Sequence, residues 1–138
     1  MSTTSYIDIR AALEQRLTAM PGIPAVAWEN KGYDPVKGVP FLAPSILWAE
    51  SSQAEIGTEG RNWETGIFQI TMNYPTNQGP GPTATMAGLI REWFKRGTEL
   101  SANGVTVKIK KAYLGPVGVT AVGISQPISI VFFSHTAN

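Results

Sequence analysis

Glu50, in the segment ILWAES, is the strongest candidate for a catalytic acid in this 138-residue sequence. A carboxyl group acts as a general acid near neutral pH when an apolar cleft raises its pKa, and Trp48 is placed to supply apolar surroundings. The run nevertheless alternates as a β-strand does. The pattern therefore favours a surface carboxylate on a hairpin arm over a general acid.

The remaining reactive side chains are too few or too scattered to form a site. His135 is the single histidine and lies three residues from the C-terminus, where we expect a frayed chain end that cannot orient an imidazole. The sequence has no cysteine, and its acidic residues are dispersed. No glycine-rich phosphate-binding motif is present. We expect no catalytic residue, no metal and no cofactor.

Length and composition predict one globular domain over residues 1–138. The chain is 43% hydrophobic and only 15% charged, and a sparsely charged surface suits a protein covered by partners. The net charge is +1, and the cations are scattered apart from Lys95-Arg96 and Lys110-Lys111, so nucleic acid is not the expected main partner. Neither a membrane span nor a signal peptide is visible, and we expect synthesis in the cytosol.

Hydrophobic spacing predicts one helix and three strands in the first half of the chain. The helix has apolar residues at helical spacing, and Pro21-Gly22 ends it. The second and third strands form a hairpin, because polar and apolar residues alternate in both arms, and the polar stretch 53–62 is its exposed tip. The helix spans residues 5–19, and the strands span 24–29, 44–52 and 63–74.

The second half is predicted to contain one helix and three further strands. The helix is capped by Thr83 or Thr85, and Gly97 supplies a left-handed C-cap. The strands are VTVKIKKAYLG, with a bulge at Lys110-Lys111, then GVTAVG, and ISIVFF after a break at Gln126-Pro127. The fold class is α+β, with two helices packed on a mainly antiparallel sheet in the order α-β-β-β-α-β-β-β.

Four tryptophans serve as core anchors or interface residues in this interpretation. Trp28 and Trp93 are assigned to the core. Trp63, beside the exposed tip, is the candidate interface residue.

One short pattern is similar to an enzyme signature. Glu50-Ser51 followed by Gly66-Ile67-Phe68-Gln69-Ile70 resembles the ES…GLxQ motif of goose-type lysozymes and lytic transglycosylases. That resemblance implies Glu50 as the general acid of peptidoglycan cleavage. Those folds are almost wholly helical, whereas both stretches here are predicted strands, so this remains a minor alternative.

A second resemblance spans nearly the whole chain. YIDIRAALEQRLTAMPGIPAVAWEN with YDPVKGVPFL is similar to the opening of phage tail terminator-like proteins. ETGIFQITMNYPTNQGPGPTATMAGLIREWF resembles the middle of that family, and VTVKIKKAYLGP with PISIVFF resembles its closing strands.

The tail terminator resemblance implies a structural role without catalysis. Proteins of that family form a hexameric ring on the head-proximal end of the tail tube of long-tailed phages, stop tube growth and receive the head connector. The implied partners are further copies of the chain, the tail tube protein and the head-completion protein, and the implied location is the virion. Another phage neck or assembly module is the alternative. We expect the tip, with Glu55, Glu59, Arg61 and Trp63, to contribute to subunit or tube contacts.

Overall fold

A computed structural model describes residues 5–29, 31–34, 38–49, 52–53, 61–75, 81–120 and 123–137. Two helices and eight strands form one α+β unit, which confirms the predicted fold class. In chain order the elements are α1 Ser5–Thr18, β1 Ala25–Val26, β2 Phe41–Trp48, β3 Ser52–Gln53, β4 Arg61–Pro75, α2 Gly81–Trp93, β5 Glu99–Ala102, β6 Val105–Leu114, β7 Gly118–Thr120 and β8 Gly123–Ala137.

The sheet is organised around the two longest strands, β4 and β8. They pair antiparallel along their whole length, from Arg61 opposite Ala137 to Pro75 opposite Gly123. On the other side of β4 lie β2 and β3, and on the other side of β8 lie β6 and β7. The edges are β1, which is parallel to β2, and β5, which forms a hairpin with β6.

Both helices pack on one face of this sheet. Alternate residues of β4 (Phe68, Ile70 and Met72) point to the helices and are almost completely buried, as the predicted alternation requires. Helix α1 packs on β5 and β6, whereas α2 packs mainly on β4. The rest of the core comes from the helices, from the turns that follow them (Met20 and Phe94), and from β2, β5, β6 and β8: Ile9, Ala12, Leu13, Leu17, Leu42, Ile46, Met86, Ala87, Ile90, Leu100, Val107, Ile109, Ile128, Ile130 and Phe132.

The two helices are also joined directly through Arg16 and Trp93. Both tryptophans that were assigned to the core, Trp28 and Trp93, are half-buried and pack against it. Gly97 adopts a φ of 88°, which confirms the predicted left-handed residue. It is not the C-cap of α2 as predicted, because the helix ends at Trp93 and the Gly97 N–H donates to the Ile109 carbonyl of β6.

Two short strands add to the predicted order. The first arm of the predicted hairpin ends at Trp48, and a separate short strand, β3, follows it. The other additional strand is β5, which precedes β6. The signal for β5 was the dipeptide Asn103-Gly104, whose φ angles of 51° and 84° form the tight turn between β5 and β6. The first strand is shorter than predicted, because only two residues pair with β2.

The last predicted strand boundary was wrong. Strand β8 runs through Gln126-Pro127, where a break was expected. Proline suits an extended backbone, and the ladder continues as Thr71 pairs with Pro127. The carbonyl of Pro127 accepts a hydrogen bond from the Gly115 N–H at 2.7 Å. The predicted bulge near Lys110-Lys111 is confirmed by a register shift between Ile109 and Lys111.

Candidate assembly interface

The predicted interface residues lie at one end of the sheet. Arg61 and Trp63 belong to the first three residues of β4. Trp63 pairs with Ser52 of β3 on one side and with His135 of β8 on the other. Glu55 and Glu59 fall outside the described residues, as does Glu50.

His135 is not at a frayed end as expected. Its backbone belongs to β8 and pairs with β4, because β8 continues for 15 residues to Ala137. The error came from ending the last strand at Phe133. A long partner strand stabilises an extended backbone even where the local sequence is polar.

The described residues around the enzyme-like motif lie on two paired strands. Ile46 pairs with Phe68, and Trp48 pairs with Gly66, so the stretches on either side of Glu50-Ser51 are antiparallel strands, as predicted. Close packing explains why position 66 is glycine. A Cβ atom there would lie 2.8 Å from the Leu47 carbonyl oxygen and 2.9 Å from Cζ of Phe132.

One buried acidic residue was missed by the sequence interpretation. Glu64 is only 1% exposed and lies on the helix-covered face of β4. Its strand partner Ser134 is also buried, and the Ser134 hydroxyl donates to the Thr106 carbonyl at 2.6 Å. Its burial could have been predicted from its position in the strand. Glu64 lies two and four residues before Gly66 and Phe68, so it faces the same side of the sheet as they do. Among the described residues no group of three or more histidine, cysteine or acidic side chains is placed to hold a metal.

The face of the sheet opposite the helices is open and partly apolar. Leu47 pairs with Ile67, Ile67 with Val131, and Val131 with Lys111, which gives one row across four strands. Leu47 is 49% exposed and Tyr113 is 45% exposed. Exposed apolar side chains in register favour a surface that meets a partner.

A groove of about 570 Å³ lies between the end of α2 and strand β6. We call it the cationic groove, because five of its lining residues are basic. Buried Phe94 is also part of its wall. The basic residues are Arg91, Lys95, Arg96, Lys110 and Lys111.

Backbone hydrogen bonds hold the two sides of the cationic groove together. The Gly97 N–H donates to the Ile109 carbonyl at 2.9 Å, and the Ile109 N–H donates to the Thr98 carbonyl at 2.9 Å. These bonds fix the turn that follows α2 directly beside the bulge of β6. The two basic pairs that the sequence analysis set apart from the scattered cations therefore meet in space.

Neither helix in the described part of the chain is long and apolar enough to cross a membrane.

Comparison with known proteins gives the following matches. A family model described as phage tail terminator protein matches residues 8–132. One solved structure shares 23% sequence identity and has a TM-score of 0.74, covering 94% of this chain and 95% of its own. A chain from the virion of a native gene transfer agent particle shares 15% identity with a TM-score of 0.61, covering 99% of this chain and 100% of its own.

These two structural likenesses show the fold. No curated protein matches the sequence. The family model spans nearly the whole chain, from α1 into β8, and the chain therefore belongs to the phage tail terminator protein family.

Proposed function

We propose that this chain is a tail terminator subunit of a long-tailed phage or phage-like particle. Copies assemble into a ring, expected to be a hexamer, on the head-proximal end of the tail tube. The ring stops tube growth and presents the surface to which the head connector docks. The family match over residues 8–132 is the observation that carries this proposal.

The proposed partners are other copies of the chain, the tail tube protein and the head-completion protein. The proposed location is the virion, and the similarity in fold to a chain of a gene transfer agent virion supports it. The role requires neither a cofactor nor catalysis. Nucleic acid is not proposed as the main partner.

The surface of the subunit suits closed assembly. A ring joins one patch of each subunit to a different patch of its neighbour. The described part of the chain offers two candidate surfaces, the apolar row of the open sheet face and the cationic groove, and they adjoin at Lys111. The sheet edges are short, with two residues in β1 and four in β5, so edge-to-edge strand pairing is disfavoured as the mode of assembly.

The test is assembly with and without tail tubes. Native mass spectrometry and electron microscopy are expected to show hexameric rings, at high protein concentration or on the ends of purified tubes. Added protein is also expected to stop tube elongation. A protein that stays monomeric and neither binds nor caps tubes contradicts the proposal. Rings that bind the head connector without capping tubes indicate the alternative, another neck module.

The enzymatic alternative has a direct test. Wild-type protein and Glu50→Gln are incubated with purified peptidoglycan, and release of soluble fragments is measured. We expect no release from either protein. Release that depends on Glu50 overturns the structural assignment.

A further inference from the structure

The cationic groove concentrates positive charge that the subunit does not neutralise. All five basic residues that line it are exposed. Within the described residues none of the five is in an ion pair, whereas Arg10 and Lys108 elsewhere are paired with glutamates. Glu92 is the one acidic residue in the lining. Like charges held this close repel one another, so an anionic partner that enters the groove is favoured.

The complementary charge is present elsewhere in the same chain. Residues 91–111 contain six cations and two carboxylates, whereas residues 50–60 contain three glutamates and no cation. Those glutamates are Glu50, Glu55 and Glu59. The acidic segment, residues 50–60, therefore matches the groove in sign.

The acidic segment and the groove belong to different parts of the sheet. Gln53 at the end of β3 and Arg61 at the start of β4 flank most of the acidic segment. Lys111 lies level with Ile67, which is six residues from Arg61 along β4 and two strands across, about 22 Å away by strand geometry. In a ring, a neighbouring subunit can bring its own acidic segment to the groove.

We propose that the cationic groove of one subunit receives the acidic segment of a second copy of the chain. This inference rests on the proposed function, and it names the contact that makes the ring. The groove flanks β6, and most of the acidic segment falls between β3 and β4 in the chain; β6 and β3 lie on different sides of the central strands β4 and β8. The contact is therefore head-to-tail, as a closed ring requires.

Charge reversal and charge exchange test the pairing. Lys95→Glu with Lys111→Glu is expected to weaken ring formation by at least about tenfold, as is Glu55→Lys with Glu59→Lys. The protein that carries all four substitutions is expected to regain part of its ring formation, because the signs at the four changed positions are exchanged and again opposite, while Arg91, Arg96 and Lys110 stay cationic. Lys31→Glu, which changes an exposed cation outside the groove, is the control and is expected to form rings normally.

Cysteine cross-linking tests whether the contact joins two chains. The natural sequence has no cysteine, so each introduced thiol is unique. A Glu59→Cys protein is mixed with a Lys95→Cys protein of different tagged size and oxidised gently. A heterodimer band is expected. Gln15→Cys, on an exposed part of α1, replaces Lys95→Cys in the control mixture and is expected to give no more than background.

The outcomes separate this inference from the proposed function. Rings that form normally in both charge-reversal variants, or cysteine variants that give no heterodimer band, refute the pairing and leave the tail terminator role standing. Absence of rings and of tube capping in the wild type refutes both. If double-stranded DNA binds the wild type and is lost from the groove variant while rings persist, the groove is a phosphate site and the pairing is wrong.

Discussion

Arg16 and Trp93 join the C-terminal ends of the two helices through reciprocal contacts. The Arg16 guanidinium donates to the Trp93 carbonyl at 2.7 and 3.2 Å, and the Trp93 indole N–H donates to the Arg16 carbonyl at 2.7 Å. The guanidinium carbon lies 4.0 Å from the centroid of the Trp93 ring. The carbonyl of a terminal helix residue lacks an intrahelical partner, so Arg16 also caps α2.

Arg16→Ala is expected to lower the free energy of unfolding by about 1–3 kcal/mol, since a half-buried carbonyl and an indole face lose a charged partner. Arg10→Ala on the same helix is the matched control. Arg10 pairs with Glu14 and Glu29 near the surface, so its loss costs about 1 kcal/mol or less. Urea denaturation measures both. Equal losses contradict a special role for Arg16.

Asn103 is a second residue that has two structural roles. It has a φ of 51° in the turn between β5 and β6, and its side-chain amide donates to Asp8 of α1 at 3.0 Å. The turn thus needs a residue that tolerates left-handed backbone, and the helix needs a donor at the same place.

Substitutions of Asn103 separate the two requirements. Asn103→Gly loses only the hydrogen bond to Asp8 and is expected to cost about 1 kcal/mol. Asn103→Ala loses the bond and also strains the backbone, for about 1–2 kcal/mol more. Thermal and urea unfolding measure the difference. An alanine variant as stable as the glycine variant contradicts this account of the turn.

At the scale of elements, β4 and β8 hold the molecule together. Their 15-residue pairing lies at the centre of the sheet, and every other strand except the edges β1 and β5 joins one of them. Close packing in the middle of this ladder leaves no room at Gly66, which lies under the ring of Phe132. Phe132 in turn meets Trp48 edge to face, with ring centroids 5.9 Å apart.

Gly66→Ala is expected to destabilise the protein by about 1–3 kcal/mol, because its methyl group would overlap the Leu47 carbonyl. Gly88→Ala is the matched control. Gly88 lies inside α2 with no atom within 4 Å of an added Cβ, so alanine is expected to stabilise by about 0.5–1 kcal/mol. Calorimetry measures both. The same sign for both substitutions contradicts the packing argument.

At the scale of the whole molecule, one face of the sheet is buried beneath the helices and the other is open. Neighbouring residues of one strand therefore lie on opposite faces of the sheet. Ile46 of β2 is 6% exposed beneath the helices, and Leu47 is 49% exposed on the open face. The helices therefore leave the open face, with its apolar row, available for assembly.

Aspartate substitutions test this two-layer arrangement. Ile46→Asp is expected to cost about 3–5 kcal/mol of unfolding free energy, because it buries a charge and leaves a void. Leu47→Asp is expected to cost less than about 1 kcal/mol. Chemical denaturation gives both values. A Leu47→Asp protein that fails to fold would show that the isolated subunit covers this face in another way.

Local pattern in the sequence determined the α+β class, the presence and approximate positions of the two helices, and the faces of the long strands. The limits of α2 were wrong, because it begins at Gly81, before Thr83, and ends at Trp93. Alternation in GIFQITMNY and helical spacing around Leu13 and Ile90 each act over a few residues, and burial follows directly from them. The bulge at Lys110-Lys111 and the left-handed Gly97 were predictable for the same reason. The dipeptide Asn103-Gly104 carried an equally local signal for β5, which the sequence interpretation missed.

Only the tertiary structure decided which distant residues meet. Strand β8 extends through Pro127 to Ala137 because β4 supplies hydrogen-bond partners along its whole length, and no nearby residue encodes that. The cationic groove arises because Gly97 and Thr98 bond to Ile109, which brings two separate basic pairs together. Strand pairing and helix docking join residues far apart in the chain, so the assembly surface is a product of the fold and not of any local pattern.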